Sequence, residues 1–245
     1  MPSFHNGSVE IAYLDEGEGL PIVLVHGFAS TKEVNWVNPG WFSTLKRAGR
    51  RVIALDDRGH GQSSKLYDPA EYHTTLMAED VRALMDHLGI KQFMVIGFCI
   101  GGPMVWNLIK NAPQRVVAGV LAQPTGFDPK NPNYYTESNM RVWGPELLKR
   151  RPDITPEMLD RFLGKIFRTN PDFVFTVTRD FVRNCQTPVL ILPDDIPAHP
   201  YAVAMEAALL APKAEVSIFP WKEPKERIPL AVRQIRSFLK AHQPT

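Results

Sequence analysis

Of the side chains able to carry covalent chemistry, one cysteine stands out by its setting. Cys99 lies in Gly97-Phe98-Cys99-Ile100-Gly101-Gly102, between the apolar run Gln92-Phe93-Met94-Val95-Ile96 and the helix-forming run Pro103–Lys110. A small-x-nucleophile-x-small pattern between a strand and a helix is a nucleophile elbow, a strained turn that projects one side chain. Its glycines are required because strand and helix approach too closely there to admit a Cβ. A sulfur held over the N-terminus of the following helix meets partial positive charge, which favours thiolate. A thiolate attacks a carbonyl carbon and forms a covalent acyl-enzyme. The competing reading of Cys99 is a small apolar residue filling a vestigial elbow.

The elements that must position this turn follow from hydrophobic patterning. Ser8–Leu14 alternates and predicts a strand, followed by a turn through Glu16–Gly19. Pro21–Val25, Arg51–Leu55, Val116–Ala122 and Pro188–Leu192 are continuous apolar runs, as expected for strands buried on both faces of a parallel sheet. Glu215–Phe219 predicts a further strand. Helices are predicted over Trp41–Gly49, Thr74–Leu88, Tyr201–Leu210 and Ile228–Ala241. Between Thr125 and Asn184 the alternation breaks into helical pieces near Glu137–Lys149, Pro156–Phe167 and Asp172–Val182, with Thr155 and Asn170 as candidate caps. The predicted class is α/β: a mostly parallel central sheet with helices on both faces, residues 1–124 and 185–245 forming the core, and 125–184 inserted as a helical cap. In such sheets the site lies beyond the carboxyl ends of the strands, where the His26–Ser30, Asp56–Ser63, Cys99 and Pro193–Pro200 segments converge.

A chain of 245 residues with 44% hydrophobic and 22% charged residues suits one large domain with an ample core. A net charge of +2 without a dense Lys/Arg run argues against a nucleic-acid partner. No segment has the apolar length needed to span a bilayer, so no membrane partner is expected. Met1–Asn6 lacks a basic region followed by an apolar core, which predicts no signal peptide. Two cysteines build no disulfide framework, so a reducing cytoplasm is expected, with Cys185 as a buried structural thiol. No His/Cys/Asp cluster has metal-ligand spacing, so neither a metal nor a cofactor is predicted.

His26-Gly27-Phe28, Asp57-Arg58-Gly59-His60-Gly61-Gln62-Ser63 and the Cys99 elbow stand in the order and spacing of the α/β-hydrolase superfamily, which the whole chain resembles. The cysteine elbow is similar to those of dienelactone hydrolases and polyhydroxyalkanoate synthases, and to bacterial α/β hydrolases with a cysteine at this turn. The resemblance implies an oxyanion hole formed by the backbone N–H groups of Phe28 and Ile100. It makes His26 and His60 structural residues of their turns rather than bases. It also implies an acid after the strand Val189–Leu192 and a histidine after Glu215–Phe219, yet the latter segment continues Pro220-Trp221-Lys222-Glu223-Pro224-Lys225-Glu226 without one.

His199 is the replacement candidate, held between Pro197 and Pro200 at the carboxyl end of the sheet, where a histidine could pair with Cys99. Asp195 is the assigned orienting acid, with Asp194 the neighbouring alternative. A solvent-facing helix-start histidine is the competing reading of His199, and Glu223 is an outside candidate for the base. Trp36, Trp41, Trp106, Trp143, Phe127, Tyr134 and Tyr135 are core or pocket aromatics. The expected partner is a small-molecule substrate, and the sequence leaves the oligomeric state open. The expected activity is cysteine-dependent cleavage of a small ester, thioester or lactone, or transfer of its acyl group. A lapsed hydrolase fold that binds a ligand or partner is the alternative, and cofactor-free lyase or C–C bond chemistry a third reading.

Overall fold

The computed structural model describes residues 1–243. Apolar strands form the middle of an eight-stranded sheet. They are β1 (Ser3–Asn6), β2 (Val9–Glu16), β3 (Pro21–Val25), β4 (Arg51–Leu55), β5 (Phe93–Phe98), β6 (Val116–Ala122), β7 (Val189–Leu192) and β8 (Ala214–Val216). Their spatial order is β1-β2-β4-β3-β5-β6-β7-β8. The β1–β2 hairpin and the β2–β4 pair are antiparallel, and all pairs from β4 to β8 are parallel.

Because successive side chains on a strand point to opposite faces, each central strand feeds two cores. Val23, Val25, Ile53, Leu55, Phe93, Val95, Val189 and Ile191 face one core. It is covered by α2 (Thr74–His87) and α3 (Gly101–Asn111). Ile22, Leu24, Val52, Ala54, Met94, Ile96, Leu190 and Leu192 face the other, covered by α1 (Trp41–Arg47) and α9 (Ile228–Ala241). Residues that alternate along one strand are therefore both fully enclosed, which is why these strands read as unbroken apolar runs.

Four helices stand between β6 and β7: α4 (Tyr134–Val142), α5 (Gly144–Arg150), α6 (Pro156–Phe167) and α7 (Arg179–Asn184). The expected single helix over Glu137–Lys149 is two helices, since Pro145 lacks an N–H and restricts the residue before it. Thr155 caps α6 as expected, its side chain accepting the Met158 N–H. The expected helix over Asp172–Val182 begins only at Arg179, where Thr178 is the cap. Before it the chain turns through Phe173 and Phe175, both at positive φ, and Asn170 Nδ2 donates to the Phe175 carbonyl instead of capping a helix. The strand expected to reach Phe219 ends at Val216, because β8 is an edge strand and its ladder closes with the Ser217 N–H bonded to Ile191 O. The last connecting helix, α8 (Tyr201–Leu210), follows the Pro193–Pro200 loop.

Close approach at the elbow is severe. A Cβ on Gly97 would stand 2.1 Å from the Gly101 carbonyl oxygen, and one on Gly101 would stand 2.7 Å from the Val25 carbonyl oxygen. A G97A substitution is therefore expected to destabilise the fold by about 1–3 kcal/mol. Urea denaturation checks this, and an unchanged midpoint would mean that the turn yields without cost.

Candidate active site

The elbow forces Cys99 to φ +56°, a left-handed conformation that side chains adopt only when the surroundings impose it. Those surroundings are the end of β6. The Cys99 N–H donates to Ala122 O (3.1 Å), and its own carbonyl accepts from Thr125 N–H (3.1 Å) and Gly102 N–H (3.0 Å). The backbone N–H groups of Phe28 and Ile100 are both directed at the Cys99 sulfur. Cys99 keeps some access to solvent, but the protein packed around it penalises a charged sulfur. Burial pushes the thiol up to about 11 against the pull of those two amides. The sequence expectation of a helix-stabilised thiolate is thus not met, because burial favours the neutral thiol.

Phe28 and its loop are held in place by histidines and carboxylates. His26 Nε2 accepts the Asp57 N–H (2.9 Å), so Nδ1 carries the ring proton and donates to Gly27 O (2.7 Å). His60 Nε2 accepts the Ala29 N–H (3.2 Å) and Nδ1 donates to Arg58 O (3.0 Å). Burial pushes His60 down to about 4. Both imidazoles are committed to backbone on both nitrogens, which leaves neither free as a base. Asn35 Oδ1 accepts the Gly27 N–H (2.8 Å), a support for the Phe28 loop that sequence reasoning missed. Asp56, fully buried, clamps this loop to the next by accepting Lys32 N–H and Lys32 Nζ (2.9 and 2.6 Å) and Gln62 N–H (2.9 Å).

The loop after β7 places His199 and Asp194 together, and corrects the assignment of Asp195. His199 Nδ1 stands 3.1 Å from Asp194 Oδ2, with His199 8% and Asp194 6% exposed. Asp195 is exposed and turns only its backbone N–H toward the Asp194 carboxylate. An ionised carboxylate only accepts, so His199 Nδ1 carries the proton and Nε2 is left as the acceptor. Burial lowers the His199 pKa despite Asp194, which leaves the ring neutral at neutral pH. The His199 ring lies edge-on to Phe98, the residue before Cys99, at 5.9 Å between centroids.

Two further groups reach Asp194. Gln123, 6% exposed at the end of β6, donates Nε2 to Oδ2, and Lys222 Nζ stands 2.9 Å from the same oxygen. Neither is singled out by sequence, because a lone Gln or Lys outside a motif carries no pattern. Glu223, the outside candidate, is exposed. A D194N substitution is expected to reduce catalytic efficiency at least ten-fold, while D195N stays within about two-fold. Steady-state kinetics on both variants checks this, and equal losses would reject the assignment.

A cavity of about 480 Å³ lies between the Phe28–Thr31 and Gly59–Gly61 loops and helices α5 and α6. Its wall includes Phe28, Tyr72, Trp143 and Phe162. The Phe28 ring packs against His60, Trp143 and Phe167, and Cys99 is not among the residues that line this chamber. Trp36 and Trp41 instead line a smaller cavity of about 210 Å³, and Trp106 is buried in the core. Cys185 is buried, as expected. Among the described residues no group of three or more His, Cys, Asp or Glu could hold a metal, and no helix is long and apolar enough to cross a membrane.

Residues 21–170 match the family model described as alpha/beta hydrolase fold. The chain belongs to the α/β-hydrolase family. Among curated relatives of this α/β hydrolase, bifunctional epoxide hydrolase 2 of Sus scrofa is 30% identical over 184 residues, which are 70% of this chain and 31% of the relative. The chain thus spans about a third of the length of that relative. A solved N-acyl homoserine lactone degrading enzyme superposes with a TM-score of 0.68 at 23% identity, covering 95% of this chain and 99% of the other. A meta-cleavage product hydrolase from Pseudomonas fluorescens superposes with a TM-score of 0.72 at 20% identity, covering 99% and 98%. These two likenesses establish the fold that the sequence pattern led us to expect.

Proposed function

We propose that this α/β hydrolase cleaves a small ester, thioester or lactone through a covalent acyl intermediate on Cys99. The observation that carries the proposal is the elbow cysteine with the Phe28 and Ile100 N–H groups aimed at its sulfur. Donors gathered at that point would also meet a carbonyl oxygen as it acquires charge. His199 Nε2 takes the thiol proton, and the sulfur forms a bond to the substrate carbonyl carbon. The tetrahedral oxyanion rests on the two amides and then collapses. The leaving alkoxide or thiolate accepts the proton back from His199. A water, deprotonated by His199, attacks the acyl carbon and releases the carboxylic acid and the thiol. Replacing that water by another acceptor turns hydrolysis into acyl transfer.

Asp194 fixes the His199 tautomer throughout. The segment 125–184 acts as a cap, with its Trp143 and Phe167 packed on Phe28. A reducing compartment such as the cytoplasm suits a thiol nucleophile, and the chemistry calls for no metal or cofactor.

The test is turnover on a panel of p-nitrophenyl esters, acyl thioesters and lactones of graded chain length, with C99A as control. The proposal requires turnover of at least one class and its loss by at least 10³-fold in C99A. Binding without turnover by the intact protein across the panel would establish the alternative, a lapsed fold that retains a ligand. Turnover of C–C or C–X bonds alone would establish the lyase-type reading.

A further inference from the structure

We propose that Lys222 is a positioning residue that supplies the counter-ion of Asp194, so that His199 stays free to act as the base. The inference rests on the reading of His199 as the base of Cys99. Lys222 comes from the segment after β8, the segment in which the family resemblance implied a histidine. Trp221 delivers it: this buried indole donates Nε1–H to Pro193 O (3.0 Å), tying the segment to the loop that carries Asp194. The Lys222 ammonium then meets Asp194 Oδ2 at 2.9 Å.

That single oxygen accepts from Gln123, His199 and Lys222, and of these Lys222 alone carries a permanent charge. A carboxylate buried to this degree demands a cationic partner. If Lys222 did not provide it, His199 would, by taking up a second proton. An imidazolium cannot accept the Cys99 proton, so the lysine keeps the base available by being the cation itself. Among the described residues the groups around His199 leave no other candidate. They are Asp194 and Lys222, the Tyr135 hydroxyl that donates to Ala198 O (2.9 Å), and the Cys99 thiol beyond Phe98. Tyr135 and Cys99 are both held neutral by burial.

The test combines a titration that needs no substrate with a rate profile. The His199 imidazole is followed by NMR from pH 4 to 9 in the wild-type protein, K222M, K222Q and K222R, its resonance assigned with H199Q. In K222M and K222Q the titration midpoint is expected to rise by about one pH unit, and in K222R to stay within a few tenths. With p-nitrophenyl butyrate as probe, the acidic limb of kcat/KM in K222M moves up by the same amount. Well below both midpoints the rate then falls about ten-fold, and at pH 8.5 by less than three-fold. Lys222 is 36% exposed, so the neutral variants are expected to fold.

An unchanged His199 midpoint in folded K222M and K222Q would overturn the proposal, whatever happens to the rate. A uniform loss of rate at all pH values with an unmoved limb would do the same, since that is the signature of a structural role alone. If the midpoint moves but C99A and H199A keep full turnover, the lysine's role stands and the catalytic reading fails.

Discussion

Replacing His199 by alanine is expected to slow both formation and breakdown of the acyl-enzyme by about 10²–10⁴-fold, the range set by general acid–base catalysis. The size of the effect follows from Cys99. Burial places the thiol at about 11, so at pH 7 almost none of it is ionised without help. An enzyme with a pre-formed thiolate would lose much less. The wild-type profile is expected to rise with pH through the lowered His199 pKa, below the ordinary value of 6.5, and then stay level through pH 9. In H199A that limb disappears, and the residual rate climbs with pH as hydroxide removes the thiol proton directly. Single-turnover kinetics between pH 4.5 and 9.5 reads both features. A variant that keeps the wild-type rate and limb would remove His199 from the reaction.

The second large effect belongs to the loops that carry Phe28. Lys32 and Asp56 are both fully enclosed, with Nζ and Oδ2 2.6 Å apart. A K32M substitution leaves a buried carboxylate without its cation and is expected to cost about 3–5 kcal/mol. The K32M/D56N double variant should recover part of that loss. In it the orphan charge is gone, although the single carboxamide oxygen can accept from only one of the two backbone amides that Asp56 serves with separate oxygens, that of position 32 on Oδ1 and that of position 62 on Oδ2. Burial on its own would raise the Asp56 pKa, but the Lys32 ammonium and the two amides hold it below the usual carboxylate value. A lowered folded-state pKa contributes stability above the unfolded-state value and loses it as pH falls through the folded one. The wild-type advantage over K32M/D56N should therefore persist at neutral pH and shrink in acid, below the ordinary carboxylate range. Denaturant titrations at pH 7 and pH 3 check this, and a K32M midpoint equal to wild type would contradict it.

The parts of this architecture most legible in the sequence are those dictated by repetition. Strands enclosed on both faces need apolar residues at every position, and Pro21–Val25, Val52–Leu55 and Val189–Leu192 supply them. The elbow is legible because glycine at 97 and 101 answers a steric demand that other residues cannot meet. Short edge elements are not: β1 has one neighbour, only four residues and no distinct pattern to mark it. The insertion reads as helical but with displaced boundaries, although Gly144-Pro145 and Thr178 are the local signals that break α4 from α5 and start α7.

The site is half legible. Cys99, Phe28 and Ile100 are named by a local turn and its neighbours, whereas the Asp194–His199 contact depends on which of two adjacent acids turns inward. Lys222 and Gln123 act on Asp194 across 28 and 71 residues of sequence, so nothing near either one marks its partner. The missing histidine after β8 is visible as an absence, but that a lysine from the same segment reaches the acid is a matter of three-dimensional reach.

The claim on which the account turns is that Cys99 becomes acylated. Rapid mixing of the protein with p-nitrophenyl butyrate at pH 7.5, acid quenching within milliseconds and intact-mass analysis test it most directly. H199A is run alongside to slow deacylation, and peptide mapping locates the label. The account predicts one butyryl group per chain, on the peptide containing Cys99, absent from C99A and longer-lived in H199A than in the wild-type protein. Steady product formation with no adduct in either protein, or a label on Cys185 or a lysine that persists in C99A, would contradict it.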